Sequence, residues 1–248
     1  MATKTKIEWT EMTWNPVTGC TKVSPGCKHC YAETMARRLK AMGNPRYQRG
    51  FALTLHEDLV QLPMRWTTPR RVFVNSMSDL FHKNVPPEFI TRVFDTMRRC
   101  PQHEFQVLTK RAERLAEIAG HLDWPENVWM GVSVESQEYA YRSELLRTVP
   151  ARIRFLSVEP LLGPIESLPL EGIHWVIVGG ESGPGARPML PEWVELVYRQ
   201  CRAHGVRFFF KQWGGVLKHR NGRELFGQTF DEMPQHVAPP LPLMRATG

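Results

Sequence analysis

Short apolar runs alternate along the chain with longer amphipathic segments. The apolar runs, each ending in polar or small residues, lie at 71–79, 104–111, 128–136, 152–160, 174–183 and 206–215. The segments between them that have helical spacing of apolar residues are 87–100, 110–122, 137–149 and 191–205. Strands that are apolar nearly throughout are typical of a parallel sheet, which is buried on both faces and needs crossover helices. The pattern therefore predicts a partial or near-complete parallel (β/α) barrel.

The alternation continues without an internal repeat, a low-complexity stretch or a long linker as far as residue 235. We therefore expect one barrel domain over residues 1–235. Pro191 suits the first turn of the last predicted helix, and Gly205 suits its C-terminal cap. Residues 236–248 are rich in proline and lack periodicity, which is typical of a mobile tail.

Polar side chains follow every one of the six apolar runs. The carboxyl ends of parallel barrel strands meet at one face, and that face carries the active site in barrel enzymes. The residues concerned are Ser76, Ser78, Asp79, Thr109, Lys110, Ser133, Glu135, Ser157, Glu159, Glu181, Ser182, Lys211 and Gln212. Polar residues commonly end strands, but their presence at all six ends favours an active face.

Charge and hydropathy indicate which partners and which cellular location to expect for this protein. Lysine and arginine number 32 against 25 aspartates and glutamates, which gives a formal net charge of +7. This balance suits a polyanionic partner such as nucleic acid, and it suits a solvated basic surface about equally well. No apolar run approaches the roughly 20 residues that span a bilayer. Without such a span or a secretory signal, we expect a cytoplasmic protein that does not enter a membrane.

Three of the five cysteines, Cys20, Cys27 and Cys30, lie close together after the first predicted strand. A disulfide framework suits small secreted domains, whereas this chain has 248 residues and is 42% hydrophobic. Two metal sites remain open as alternatives: zinc, which needs a fourth ligand, and an iron–sulfur cluster with one iron free. The candidates for the fourth zinc ligand are His29, His82 and His204.

The segment "GCTKVSPGCKHCYAE" resembles the cluster loop of the radical S-adenosylmethionine (SAM) superfamily, which follows the first strand of an α/β barrel. The usual spacing there is C-x3-C-x2-C, and here it is C-x6-C-x2-C. The chain is more closely similar to a phage-associated three-cysteine-motif family over residues 7 to 234. The motifs that carry this similarity are "SMSDLFH", "VEPLLGPI", "VIVGGESGPGARPM" and "FFKQWG". Because the role of that family is unsettled, the similarity implies fold and cluster more than reaction or substrate.

The resemblance implies that Cys20, Cys27 and Cys30 ligate a [4Fe–4S] cluster whose open iron binds SAM. One electron from the cluster would then cleave SAM to methionine and a 5′-deoxyadenosyl radical. By the same resemblance, Ser76, Ser78 and Asp79 are expected to contact SAM in place of a Gly-Gly-Glu segment of the superfamily. Ser133 and Glu135 are expected to contact SAM as well. The cluster also implies an electron donor as a partner, while further catalytic residues and the oligomeric state stay open.

A basic segment, residues 37–50, follows the cysteines directly and suits phosphate contacts to DNA or RNA. Its candidate contact residues are Arg37, Arg38, Lys40, Arg46 and Arg49. We therefore predict a radical SAM-type enzyme that repairs or modifies a nucleic acid or nucleotide. The alternatives are a zinc-stabilised nucleic-acid-binding protein without catalysis, and a radical SAM enzyme that acts on a peptide or small metabolite.

Overall fold

The computed structural model describes residues 3–5 and 7–235, so the predicted tail at 236–248 lies outside the described residues. Its strands are β1 (Thr3–Lys4), β2 (Met12–Trp14), β3 (Val17–Thr18), β4 (Thr54–Leu55), β5 (Arg71–Val74), β6 (Glu104–Thr109), β7 (Val128–Ser133), β8 (Ile153–Val158), β9 (Trp175–Gly179) and β10 (Arg207–Gln212). Its helices are α1 (Tyr31–Ala41), α2 (Glu57–Val60), α3 (Pro87–Arg98), α4 (Ala112–Ala119), α5 (Tyr141–Arg147), α6 (Pro191–Ala203) and α7 (Lys218–Asn221).

The main sheet has the strand order β1-β2-β5-β6-β7-β8-β9-β10. Every neighbouring pair from β2 to β10 is parallel, and β1 pairs antiparallel with β2 at the edge. The sheet curls into a half-barrel, and α3, α4, α5 and α6 form crossovers between successive strands. The prediction of a partial parallel (β/α) barrel is confirmed. A separate antiparallel pair, β3 with β4, lies beside the first strand of the barrel.

The apolar runs are nearly continuous because the strands pack on both faces. In β9, Val176 and Val178 join the outer core between sheet and helices, while Trp175 and Ile177 point into the barrel. The inner core consists of Trp9, Phe73, Trp129, Phe155, Trp175, Ile177 and Phe209. Alternate residues of one strand thus enter two different cores, which removes the apolar–polar alternation expected of a sheet with one wet face.

Some helices and strands end at other residues than the sequence predicts, because polar side chains there form hydrogen bonds with the backbone. Helix α4 covers Ala112–Ala119 and is shorter than the predicted 110–122. It begins later than predicted because Thr109 ends β6 and its hydroxyl accepts a hydrogen bond from the Arg111 amide at 2.9 Å, and it ends earlier, with Gly120 as its C-cap. Helix α6 begins at Pro191 as expected, and Gly205 follows its C-terminal cap with a φ of 65°. Among the described residues, no helix has the length and apolar character needed to cross a membrane.

Candidate cofactor and substrate cavity

A cavity of about 440 Å³ opens at the carboxyl edge of the sheet, and all three clustered cysteines line it. The strand-end residues that share this lining are Ser76, Ser78, Asp79, Thr109, Lys110, Ser133, Ser157, Glu159, Glu181, Ser182, Lys211 and Gln212. Apolar side chains that belong to or pack against the inner core, among them Trp9, Phe73 and Leu108, complete the wall. The structure therefore brings together almost all the polar strand ends named from the sequence.

The cysteines lie on one loop, residues 19–30, which we call the cysteine loop. Gly19 opens it with a φ of 80°, and a β-carbon there would overlap the backbone carbonyl of Ala52, so only glycine fits. Cys27 ends a short 3₁₀ turn that begins at Pro25, and Cys30 is the N-cap residue of α1. The loop thus presents its thiols from three different local structures.

All five cysteines are free thiols, but their environments differ. Cys100 and Cys201 are buried in the outer core, 1% and 0% exposed, whereas the three loop cysteines are half-buried. Burial, helped by the nearby carboxylate of Asp79, raises the pKa of Cys20 to about 11 against the opposing effect of Arg111. Metal binding by the loop must therefore displace thiol protons.

An ion pair between Asp79 and Arg111 holds the first part of the cysteine loop. Arg111 Nη1 donates to Asp79 Oδ2 at 2.8 Å and to Cys20 Sγ at 3.5 Å, and Nη2 donates to the Thr21 carbonyl at 2.9 Å. The other carboxylate oxygen of Asp79 accepts from the Thr109 hydroxyl at 2.7 Å. This buried pair therefore ties Cys20 to the ends of β5 and β6.

Glu135 holds the middle of the loop from the end of β7. Its carboxylate is fully buried and accepts from the Ser24 hydroxyl at 2.6 Å, from Arg142 Nη1 at 3.0 Å and from Lys110 Nζ. Gly26 lies directly over it, because a β-carbon at that position would come within 2.6 Å of the Glu135 side chain. Burial alone would raise the pKa of Glu135, but Lys110, Ser24 and Arg142 hold it below its ordinary value. Within the described residues, Glu135 does not line the cavity.

Glu181 holds the last part of the loop from the end of β9. Arg187 donates to both of its oxygens, at 2.8 and 2.5 Å, and His29 Nδ1 lies 3.1 Å from Oε2. Arg187 also donates to the Pro25 carbonyl at 3.0 Å. Burial would raise the pKa of Glu181, but the hydrogen bonds from Arg187 and His29 lower it to about 2. The glycine-rich segment 179–188 thus joins the barrel to the cysteine loop.

The described residues do not form a closed zinc site. The three histidines considered as a fourth zinc ligand all have other partners: His29 Nδ1 lies 3.1 Å from Glu181 Oε2, His82 is hydrogen-bonded to Thr21 and the Asn84 amide, and His204 to the Gln200 carbonyl. In the described part of the chain, no three His, Cys, Asp or Glu side chains stand close enough for one metal ion. Three thiolates on a [4Fe–4S] cluster bind different irons, so they lie further apart than around zinc.

Asn75 is a cavity residue that the sequence-based interpretation missed. It directly follows β5, is 2% exposed, and adopts a left-handed φ of 59°, which is uncommon outside glycine. Its Oδ1 accepts from the Val17 amide at 3.3 Å, while its buried Nδ2 and the Oγ of Ser78 have no hydrogen-bond partner among the described residues. Both side chains line the cavity, so it contains polar atoms that a bound ligand would satisfy.

Two of the five candidate residues in the basic segment are ion-paired, and three are not in any of the described ion pairs. Arg37 is paired with Glu33 at 2.6 Å on α1, and Arg46 is paired with Asp58 at 2.5 Å. The remaining candidates for phosphate contact, Arg38, Lys40 and Arg49, are exposed. Arg46 and Arg49 also line an open cleft of about 420 Å³ together with Pro45, Gln48, Thr54 and His56.

A family model described as "Protein of unknown function (DUF5131)" matches residues 4–234. No curated protein matches the chain. Among solved structures, a cysteine-to-serine mutant of spore photoproduct lyase has a TM-score of 0.49 and 14% identity, over 72% of this chain and 58% of that one. A double mutant of the same lyase with bound AdoMet and dinucleoside spore photoproduct has a TM-score of 0.49 and 11% identity, over 81% of this chain and 63% of that one.

This chain therefore spans only about three fifths of the length of the lyase chains it matches, 58% and 63%. Identities of 14% and 11% are too low to transfer a reaction or a substrate from those proteins. The phage association expected from the sequence motifs stays a prediction.

Proposed function

The chain belongs to the DUF5131 family of proteins of unknown function, and from its site we propose that it is a radical SAM-type enzyme acting on a nucleic acid or nucleotide. The observation that carries the proposal is the cavity itself. The three loop thiols line it together with the polar strand ends of a parallel half-barrel, while Cys100 and Cys201 lie in the outer core.

In this proposal Cys20, Cys27 and Cys30 hold a [4Fe–4S] cluster at the mouth of the cavity. When bound, the cluster and SAM supply one-electron cleavage of the sulfonium bond, which yields methionine and a 5′-deoxyadenosyl radical. The braces formed by Asp79, Glu135 and Glu181 keep the thiols over the carboxyl edge of the sheet. The apolar wall beneath them excludes water from the reacting groups.

The contacts to SAM are proposed at Ser76, Ser78, Asp79 and Ser133, which line the cavity, with Asn75 added from its position. Glu135, also expected from the sequence to contact SAM, lies beneath Gly26 and outside the cavity lining, and we propose that it supports the cysteine loop. Asn75 and Ser78 are the stronger candidates because each has a buried polar atom without a partner in the described structure. Asp79 and Glu135 already accept several hydrogen bonds from the protein, and those contacts serve the cysteine loop. Removing either carboxylate would therefore disturb the loop as well as any contact to SAM.

Anaerobic reconstitution with iron and sulfide tests the proposed cluster. We expect about four irons per chain, cleavage of SAM to 5′-deoxyadenosine in the presence of a low-potential electron donor, and loss of the cluster in Cys27→Ala. Cys201→Ala is the matched control, because that thiol lies in the core away from the cavity. Stoichiometric zinc in anaerobically purified protein, with no iron after reconstitution, would overturn the proposal and favour the zinc-stabilised alternative.

Binding of oligonucleotides across a salt series tests the proposed substrate class. We expect affinity to fall by ~0.7 to 0.9 log units per log unit of salt for each phosphate neutralised. Lys40→Ala/Arg49→Ala should reduce this slope, because both residues are exposed in the basic segment. Arg152→Ala is the control. Arg152 directly precedes β8, at the edge of the sheet opposite to the cavity, and pairs there with Glu126. Absence of binding at low salt would favour a peptide or small metabolite as substrate.

A further inference from the structure

The charged groups of the cavity divide into two sets by what they contact. One set, formed by Asp79, Lys110, Arg111 and Glu181, is engaged in the three braces of the cysteine loop. The other set is a single pair, Glu159 after β8 and Lys211 within β10. Lys211 Nζ donates to both carboxylate oxygens of Glu159, at 2.6 and 2.9 Å. Among the hydrogen bonds of the described residues, neither member of this pair contacts the cysteine loop.

Stability alone does not account for an ion pair in this place. The Lys211 and Glu159 side chains are only 13% and 21% exposed, so both charges have lost much of their hydration. Apolar residues of similar volume often stabilise a protein as well as a buried pair does. The structure also makes room for the carboxylate, because a β-carbon at Gly179 would come within 3.2 Å of the Glu159 carboxyl carbon.

After forming the pair, both members keep free hydrogen-bonding capacity toward the cavity. An ammonium group has three N–H donors, of which Lys211 uses two, and each carboxylate oxygen of Glu159 keeps a lone pair. The pair therefore presents an acceptor beside a donor and has no net charge. An incoming phosphate or carboxylate would meet the negative charge of Glu159 next to Lys211, so an anion is disfavoured here.

We propose that the Glu159–Lys211 pair binds the hydrogen-bonding edge of a neutral nucleobase whose faces lie against the apolar wall of the cavity. This deepens the proposed function and rests on it for the choice of ligand class. Nucleobases carry a donor next to an acceptor on the Watson–Crick edge, and enzymes that act on an extruded base read that edge while apolar side chains cover its faces. Trp9, Phe73 and Leu108 supply apolar surface in the same cavity. Such an edge is available from the adenine of SAM and from a base of the substrate.

Calorimetric titration of the full-length protein with nucleosides and, separately, with inorganic phosphate tests the pair directly. Glu159→Gln and Lys211→Met should each weaken nucleoside binding by about 10-fold or more, since each removes a hydrogen bond to a charged group. Glu159→Gln should also strengthen phosphate binding, because Lys211 then lacks its counter-charge. Glu171→Gln, which breaks a surface pair with Arg147, is the control and should change neither.

The ligands separate the two sources of the base. Loss confined to SAM and adenosine assigns the pair to the cofactor, and loss for thymidine, guanosine or cytidine with SAM binding intact assigns it to the substrate. If a single variant fails to fold, the double variant Glu159→Gln/Lys211→Met replaces it, because the double variant leaves no unpaired charge in the cavity wall. It should lose nucleoside binding without gaining phosphate binding.

The proposal is overturned if wild type binds no nucleoside, if the variants that fold bind nucleosides as wild type does, or if Glu159→Gln gains no affinity for phosphate. The titrations with nucleosides and phosphate need no cluster, whereas the titration with SAM uses the reconstituted protein. If the protein binds nucleosides through the pair but contains no iron, the proposed reaction is refuted and the nucleobase site stands. If the protein is an active cluster enzyme and the variants bind nucleosides as wild type does, only the nucleobase site is refuted.

Discussion

Replacement of Glu135 by glutamine keeps the shape of the side chain but removes the charge on which the middle of the cysteine loop rests. Two cations, Lys110 and Arg142, then face a neutral amide. The Arg142 side chain is only 3% exposed and keeps its hydrogen bond to the Ser133 carbonyl at 2.8 Å and its contact with the Tyr139 ring. Lys110 is 21% exposed and can turn toward solvent.

The expected loss in the free energy of unfolding is about 3 kcal/mol, the lower end of the ~3–5 kcal/mol range for removing one partner of a buried pair. The lower end applies because Lys110 can recover hydration. Since domains are stable by only ~5–15 kcal/mol, urea denaturation at pH 7 resolves such a change as a lower midpoint at constant slope. Hydrogen exchange should accelerate at the loop amides near Ser24, which loses a carboxylate acceptor.

Glu171→Gln serves as the matched control, because that carboxylate is 79% exposed in its pair with Arg147 and should contribute less than ~1 kcal/mol. A loss below 1 kcal/mol in Glu135→Gln, with unchanged exchange in the loop, would refute the brace. If Glu135 instead acts on SAM directly, the variant should lose SAM affinity while its unfolding midpoint and loop exchange match wild type.

Three further outcomes follow from the site. Because the pKa of Glu135 is held below its ordinary value of about 4.3, its stabilising contribution is complete above that pH and is lost as pH falls through the lowered value. The urea midpoints of wild type and Glu135→Gln should therefore begin to converge as the pH falls below about 4.3. Iodoacetamide should alkylate the loop thiols of native, metal-free protein faster than Cys100 and Cys201, although Cys20 should react slowly because burial raises its pKa to about 11. Peptide mass spectrometry would detect the difference, and equal labelling of all five would show that the core assignment is wrong. Gly19→Ala should greatly reduce folded yield and melting temperature, whereas Gly43→Ala, with similar positive φ but open space around it, should cost only about 1 kcal/mol; comparable melting curves would contradict the requirement for glycine at position 19.

Much of the fold could be predicted because it depends on local pattern. The run from Trp175 to Val178 is apolar at successive positions, which is typical of a parallel strand covered on both faces. The spacing of Cys20, Cys27 and Cys30 likewise predicts three thiols on one loop, and the structure shows all three lining the cavity; metal binding there stays a prediction. The ends of the elements were less predictable, because side-chain hydrogen bonds such as that of Thr109 with the Arg111 amide decide them.

The roles of the strand-end residues could not be predicted in the same way. From position alone Asp79, Glu135, Glu159 and Glu181 are equivalent, since each follows a parallel strand. The structure shows that three of them pair with cations under the cysteine loop, while Glu159 pairs with Lys211 at the cavity wall.

The sequence by itself determined the alternation of strands and helices, the face on which the polar ends gather, and the cysteines available for a metal. These depend on residue type and on spacing over a few positions. The tertiary structure decided which charges meet: Arg111 reaches back to Cys20, and Arg187 reaches the Pro25 carbonyl, across 91 and 162 residues of chain. Those partners are set by the curl and register of the sheet, because a hydrogen bond requires contact within about 3 Å and separation along the chain does not specify it.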